Sequence, residues 1–268
     1  MAELSELSGR DLGSRRVAYT DRDVILYALA VGAGAEELDL VFERDLRTLP
    51  TFALTLGVWA ADEPRRLGAY DASRALHGAQ TLQVLAPLPP AGEIELAGRV
   101  GAVWDKGSSA VLDVVVESEY FTATYTLVAR GFGGWGGPRG PAAPSPEAAR
   151  DRPLGSYPIS PEQAALYRLT GDRHHIHIDP DAARAAGLGR PVLHGLCTLG
   201  LAAREVAAAA GAHPAELRSL RARFAAPVWP GDALGLVGAV PERGCVRFEG
   251  RVGDRVVLAA GHARFGPA

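Results

Sequence analysis

The chain repeats its own pattern at an offset of 140 positions, and this limits the possible folds more than any other feature. Thr20-Asp21-Arg22-Asp23 leads into an apolar-periodic run ending near Val31, and Ser160-Pro161-Glu162-Gln163 leads into a similar run through Leu169. Each opens with a hydroxyl residue and carries an acid or amide three positions on, the pattern of a reciprocal helix N-cap. Tyr27 matches Tyr167 at the same offset, and Ala86-Pro87 matches Ala226-Pro227. Between the copies, residues 131–153 are dense in Gly and Pro and lack apolar periodicity, which reads as a surface linker. The spacing therefore predicts two units, 1–130 and 154–268, of one plan.

Each unit continues with a Pro-started apolar helix, Pro50 through Leu56 in the first and Pro191 through Ala210 in the second. The second helix is apolar on nearly every face, so other elements must wrap it. Strand-like segments follow: Thr81–Ala86, Glu93–Trp104, Ala110–Ser118 and Tyr120–Ala129, then Leu217–Ala225, Asp232–Val240, Cys245–Val252 and Arg255–Phe265. One buried helix followed by a run of antiparallel strands reads as a sheet curled around a helix, here an α+β arrangement made twice.

Composition excludes several classes of partner. A net charge of −3 over 268 residues offers no electrostatic reason to bind nucleic acid or an anionic membrane. No run of about 18 apolar residues is present, and neither a secretory leader nor a C-terminal Ser-Lys-Leu signal is visible, so a cytoplasmic location is expected. Two cysteines, Cys197 and Cys245, are too few for a disulfide framework.

Chemistry is confined to the second copy, in Tyr167–Gly200. Where the first half has Ala30-Val31-Gly32-Ala33-Gly34, the second has Thr170-Gly171-Asp172-Arg173-His174. Asp179-Pro180 followed by a short run to Gly187 reads as a helix with Asp179 as cap and Gly187 as stop, a structural use of that acid. Asp172 and His177 fit no cap position. Two readings stay open for them: a solvated polar loop, or an acid and imidazole placed for proton transfer. His194-Gly195 at the start of the apolar helix favours the second, because N–H groups of a first helical turn lack internal partners and can bind a developing oxyanion. His174, His175 and His177 also invite a metal, but no H-E-x-x-H or C-x-x-C motif accompanies them, so no metal is expected. No G-x-S-x-G elbow is present, and Cys197 falls inside the apolar helix.

Tyr167-Arg168-Leu169-Thr170-Gly171-Asp172, His177-Ile178-Asp179-Pro180 and Arg190-Pro191-Val192-Leu193-His194-Gly195-Leu196-Cys197 resemble the MaoC-like (R)-specific 2-enoyl-CoA hydratases, hydratase 2. The likeness extends to Leu76-His77-Gly78, the turn Pro87–Gly92 and Asp105-Lys106-Gly107. It implies a double hot-dog fold, commonly a homodimer, whose degenerate first half makes room for an acyl chain. It also implies reversible hydration of a trans-2-enoyl-CoA to a (3R)-3-hydroxyacyl-CoA without a cofactor. By position, Asp172 and His177 would hold and activate the water, the Gly195 N–H would stabilise the enolate, and His77, Gly78, Lys106 and Phe224 would form a substrate-binding set. The sequence departs from the family at His174, where an Asn that helps fix the water is expected. The alternatives within reach of the same fold are an acyl-CoA thioesterase and a non-catalytic acyl-CoA-binding protein.

Overall fold

The computed structural model describes residues 4–71, 74–142, 152–239 and 244–266. The first half contributes strands β1 (Asp11–Tyr19), β2 (Ala75–Val84), β3 (Gly92–Asp105), β4 (Ser109–Glu117) and β5 (Phe121–Arg130). The second contributes β6 (Arg152–Pro158), β7 (Leu217–Phe224), β8 (Ala233–Ala239), β9 (Cys245–Val252) and β10 (Arg255–Phe265). All ten join one antiparallel sheet in the order β1-β3-β4-β5-β2-β7-β10-β9-β8-β6. From either outer edge inward, the strands of each half occur in the same relative order, as duplication requires.

The halves meet where β2 pairs with β7, and the register locates the symmetry. Thr81 lies opposite Arg221, its own counterpart at the 140-residue offset, while Gln80 faces Ala222 and Leu82 faces Leu220. Corresponding residues thus exchange places across a local dyad, the geometry by which two copies of one surface satisfy each other. It converts two inner sheet edges, each with unpaired N–H and C=O groups, into one continuous ladder.

Helices α1 (Asp21–Ala30), α2 (Leu38–Val41) and α3 (Ala53–Arg66) belong to the first half, and α4 (Gln163–Tyr167), α5 (Pro180–Ala185) and α6 (Gly195–Ala209) to the second. The sheet wraps the two long ones, α3 and α6. Strand β5 alternates buried Phe121, Ala123, Tyr125, Leu127 and Ala129 with partly exposed Thr122, Thr124, Thr126 and Val128, the period-2 pattern of a strand with one covered face. Its Tyr125 hydroxyl donates to the Leu54 carbonyl at 2.7 Å, tying sheet to helix. Leu196 to Ala203 of α6 are all buried, as its all-round apolar sequence demands.

Several expectations shift. The edge strands β1 and β6 were not anticipated, because β1 is largely exposed and charged and lacks alternation. Strand β2 starts at Ala75 rather than Thr81, so Leu76-His77-Gly78 is strand, with a register irregularity between His77 and Ala79. Helix α6 starts at Gly195 rather than Pro191, since the N–H groups of Val192 and Leu193 are drawn out to the carbonyls of Ile176 (3.1 Å) and Val228 (2.8 Å). At α1, Asp23 accepts from both the N–H and the hydroxyl of Thr20 at 2.8 Å. Ser160 caps nothing comparable: α4 begins at Gln163, whose buried side-chain amide donates to the Ala30 carbonyl at 2.6 Å. A helix C-terminus leaves such carbonyls without internal donors, and the amide from the other repeat supplies one.

The linker boundaries also move. Arg152 and Pro153 open β6, and residues 131–142 lie along the β3–β4 hairpin. There the Asp105 carboxylate, only 4% exposed, accepts N–H groups from Gly107, Gly134 and Gly136 at 2.8 Å and from Gly137 at 3.3 Å. Gly134 and Gly136 adopt φ near +92° and +80°, which aims successive amides at one oxygen pair at little steric cost. The rest of the expected linker, residues 143–151, lies outside the described residues. Among the described residues, no helix is long and apolar enough to cross a membrane.

Candidate active site

The site grows from the loop between α4 and α5. A short 3-10 turn, Arg168–Thr170, ends at Gly171, whose φ of +141° turns the chain against α3: a Cβ there would lie 3.7 Å from the Thr55 carbonyl. Asp172 follows, its Oδ1 accepting the His174 N–H at 3.1 Å. His174 caps the next turn, His175–His177, with Nδ1 accepting from the Ile176 N–H at 3.4 Å. The polar stretch expected to be irregular is therefore a capped turn, and that turn carries His177 inward until it is 8% exposed.

At His177, Nδ1 donates to the Val192 carbonyl at 2.8 Å. A carbonyl only accepts, so this bond sets the tautomer and leaves the Nε2 lone pair as the basic site. Burial lowers the His177 pKa, opposed by the Asp172 carboxylate and the bond to Val192. The imidazole is thus neutral near pH 7 and able to take a proton. Asp172 stays partly exposed beside it.

The third member is His194, for whose side chain the sequence pattern suggests no role of its own. It is 1% exposed, stacks on His177 at 3.7 Å between centroids and 23° between planes, and its Nε2–H donates to the Asp172 backbone carbonyl at 3.1 Å. One ligand atom from each of Asp172, His177 and His194 lies within 4.8 Å of the others. Burial and the neighbouring His177 push the His194 pKa down to about 3, so this ring is neutral as well. The available signal was its residue type: N-cap positions favour Ser, Thr, Asp and Asn, and His194 makes no side-chain cap bond, so its imidazole serves something else.

The metal reading gains a trio but not a geometry. His174 and His175 are exposed, and the converging set is Asp172, His177 and His194. Two nearly parallel stacked imidazoles direct their nitrogen lone pairs along separate planes, whereas one ion needs both at about 2.0–2.1 Å in plane. This trio, the one such group among the described residues, does not fit a metal.

Gly195 is the first residue of α6, where N–H groups have no intrahelical acceptor. Phe224 lies against it: a Cβ on Gly195 would come within 3.2 Å of the Phe224 ring. His77 meets Phe224 edge to face at 4.7 Å, and burial lowers its pKa to about 4. The sheet dyad thus brings His77 from the first half beside Gly195 and Phe224 from the second. Gly78 has a packing reason for its identity, since a Cβ there would meet Val128 at 2.7 Å. Lys106 stands apart in the β3–β4 turn, its Nζ donating to the Pro141 carbonyl at 2.9 Å. The order β3-β4-β5-β2 puts that turn two to three strands from His77, about 10–14 Å across the sheet at ~4.8 Å per strand. Asp179 caps α5 by accepting the Asp181 N–H at 2.8 Å.

Residues 144–259 match the MaoC like domain family, and residues 17–130 match the MFE-2 hydratase 2 N-terminal domain. The chain is 39% identical over 271 residues to 3-hydroxyacyl-thioester dehydratase Y of Mycobacterium tuberculosis, covering 92% of this chain and 93% of the relative. It is 35% identical over 250 residues to enoyl-CoA hydratase ChsH3 of the same organism, covering 87% of each. A MaoC-like dehydratase from Phytophthora capsici superposes with a TM-score of 0.85 over 99% of this chain and 98% of that one, at 24% identity, which speaks for the fold. The resemblance carried by the Asp172–His177 loop and the His194-Gly195 helix start thus extends to nearly the whole molecule, and the chain belongs to the MaoC-like hydratase 2 family.

Proposed function

We propose that this protein catalyses the reversible addition of water to a trans-2-enoyl-CoA, giving a (3R)-3-hydroxyacyl-CoA. The observation that carries this reading is the free Nε2 of a buried, neutral His177 beside the Asp172 carboxylate and the open N-terminus of α6. In this reading Asp172 and His177 hold one water. Its hydroxyl goes to the β-carbon and its proton to the α-carbon, so the atoms of one water account for the product and no redox cofactor is called for. Attack moves negative charge onto the thioester oxygen, where the Gly195 N–H donates to it. An oxyanion donor of this kind is worth about 3 kcal/mol in the barrier, because it is already oriented when the charge appears.

His77, Gly78 and Phe224 border the thioester end, and the Lys106 ammonium serves the phosphates of the CoA moiety. Residues 1–130 act as the acyl-accommodating repeat and 154–268 as the catalytic one. His174 takes the place of the family's Asn, where its ring nitrogen accepts from the loop backbone. The family resemblance supports a homodimer.

The test is turnover of trans-2-enoyl-CoA by purified protein, read as loss of conjugated thioester absorbance with chiral analysis of the product. The (3R) alcohol supports the reading. Thiol release from a saturated acyl-CoA would replace it with a thioesterase, and binding without turnover with an acyl-CoA carrier.

A further inference from the structure

His194 has no part in the chemistry just described, yet it is more deeply buried than either residue that does. Its Nδ1 is buried without a hydrogen-bond partner, and so is the Tyr167 hydroxyl, whose ring lies 4.8 Å from the His194 ring. An unpartnered buried polar atom keeps its desolvation cost uncompensated, and an apolar residue at this position would avoid that cost. The ring is therefore retained for what its other nitrogen and its face do.

The face extends a column of aromatic rings through the molecule. From His177 it runs to His194 (3.7 Å), Tyr167 (4.8 Å), Tyr27 (6.1 Å), Phe52 (5.4 Å) and Tyr19 (5.3 Å). Tyr27 and Tyr167 are the pair that repeats at 140 residues, so the column crosses between the repeats at equivalent side chains. Its far end is anchored where Tyr19 donates to the Pro89 carbonyl at 3.0 Å.

We propose that His194 is a positioning residue: its stacked face seats the His177 ring, and its Nε2–H holds the Asp172 backbone, so that the water-activating loop keeps register with the N-terminus of α6. The inference rests on the hydratase reading for its kinetic consequences. It follows from connectivity, because His194 is covalently next to Gly195, hydrogen-bonded to residue 172 and in ring contact with residue 177. One side chain thus links all three.

Three variants separate the two functions. His194→Phe keeps a stacking face and loses the donor, His194→Gln keeps an N–H donor and loses the stack, and His194→Ala loses both. Misplacement of a reacting group by about 1 Å costs on the order of 100-fold in rate. We expect His194→Ala to lower kcat about 100-fold with KM within threefold, and the Phe and Gln variants each to recover at least fivefold over Ala. If His194→Ala does not fold, the Phe and Gln variants measured against the parent carry the same comparison, each losing kcat and not KM.

A second readout is independent of turnover. The groups facing His177 are Asp172, His174 and His194, with Arg168 beyond His194. Removing the His194 ring lets water reach His177, so its titration, followed by NMR of ring-labelled protein and assigned with His177→Gln, moves to higher pH in His194→Ala. An unchanged kcat, a loss confined to KM, or an unmoved His177 titration overturns the proposal. A parent protein inactive on every enoyl-CoA overturns the hydratase reading instead, and the titration then decides the seating of His177 alone.

Discussion

Replacing Gly195 with alanine sets rate against stability. Gly195 occupies an ordinary helical position, so the backbone accepts alanine, and Gly→Ala inside a helix is stabilising by up to about 1 kcal/mol. The new methyl would stand 3.2 Å from Phe224 Cε1 and 3.3 Å from Cδ1, a few tenths of an ångström inside ordinary contact. Phe224 has little room to retreat, because His77 lies edge-on to it at 4.7 Å and is followed by Tyr125 at 5.9 Å. Part of the displacement therefore falls on the first turn of α6 and moves the N–H assigned to the enolate. Complete loss of such a donor costs about 100- to 1,000-fold in kcat. A shift of a few tenths of an ångström forfeits part of that, which gives an expected loss of about 10- to 100-fold, or ~1.4–2.8 kcal/mol. Enoyl-CoA turnover and thermal unfolding are measured together on Gly195→Ala, Phe224→Leu and the double variant. The rate falls while Tm holds or rises, and Phe224→Leu loses less in the Gly195→Ala background than alone, because it relieves the clash. A Gly195→Ala enzyme within threefold of the parent, or strictly additive losses in the double variant, would refute the assignment of this N–H.

His177→Gln removes the base and lowers kcat/KM by about 100- to 10,000-fold. Because burial depresses the pKa of His177 and the base must be neutral, the parent's activity rises with pH through a limb below the usual imidazole value, and this limb disappears in the variant; a pH–rate series checks both. Gln163→Leu strips the Ala30 carbonyl of its 2.6 Å amide donor and costs about 1–3 kcal/mol in denaturant unfolding, with turnover retained if the contact is only a staple between repeats. Asp105 is held near pKa 2 by the amides of Gly134, Gly107, Gly136 and Gly137. Its folded pKa is depressed, so its stabilisation is present above the unfolded value near 3.8 and is lost as pH falls through about 2. Asp105→Ala abolishes that acid dependence and opens residues 131–142 to limited proteolysis.

The duplication, the eight principal strands, the buried helix and the acid–imidazole loop were all legible from local pattern. Periodicity identifies strands with one covered face, which is why β5 stood out and the largely exposed β1 did not. Cap chemistry identified Asp179 correctly because an Asp-Pro start acts within one turn. It misled at Ser160 because Gln163 found an acceptor 133 residues away. Gly and Pro density marked residues 131–153 as linker, yet the same glycines let 131–142 gather around Asp105, a use that composition does not reveal.

Sequence by itself determined that this chain holds two copies of one sheet-around-helix unit, with the acid–imidazole loop in the second copy, since both are matters of residue type and spacing. Tertiary structure decided which of those residues meet. His174 and His175 face solvent although they are adjacent to the site in sequence, while His194 stacks on His177 from 17 positions away and His77 arrives from the other repeat across the β2–β7 dyad. The physical reason is that a ring's protonation, tautomer and orientation depend on burial and on its hydrogen-bonding partner. At this site those partners, the carbonyls of Val192 and Asp172, are brought within reach only by folding.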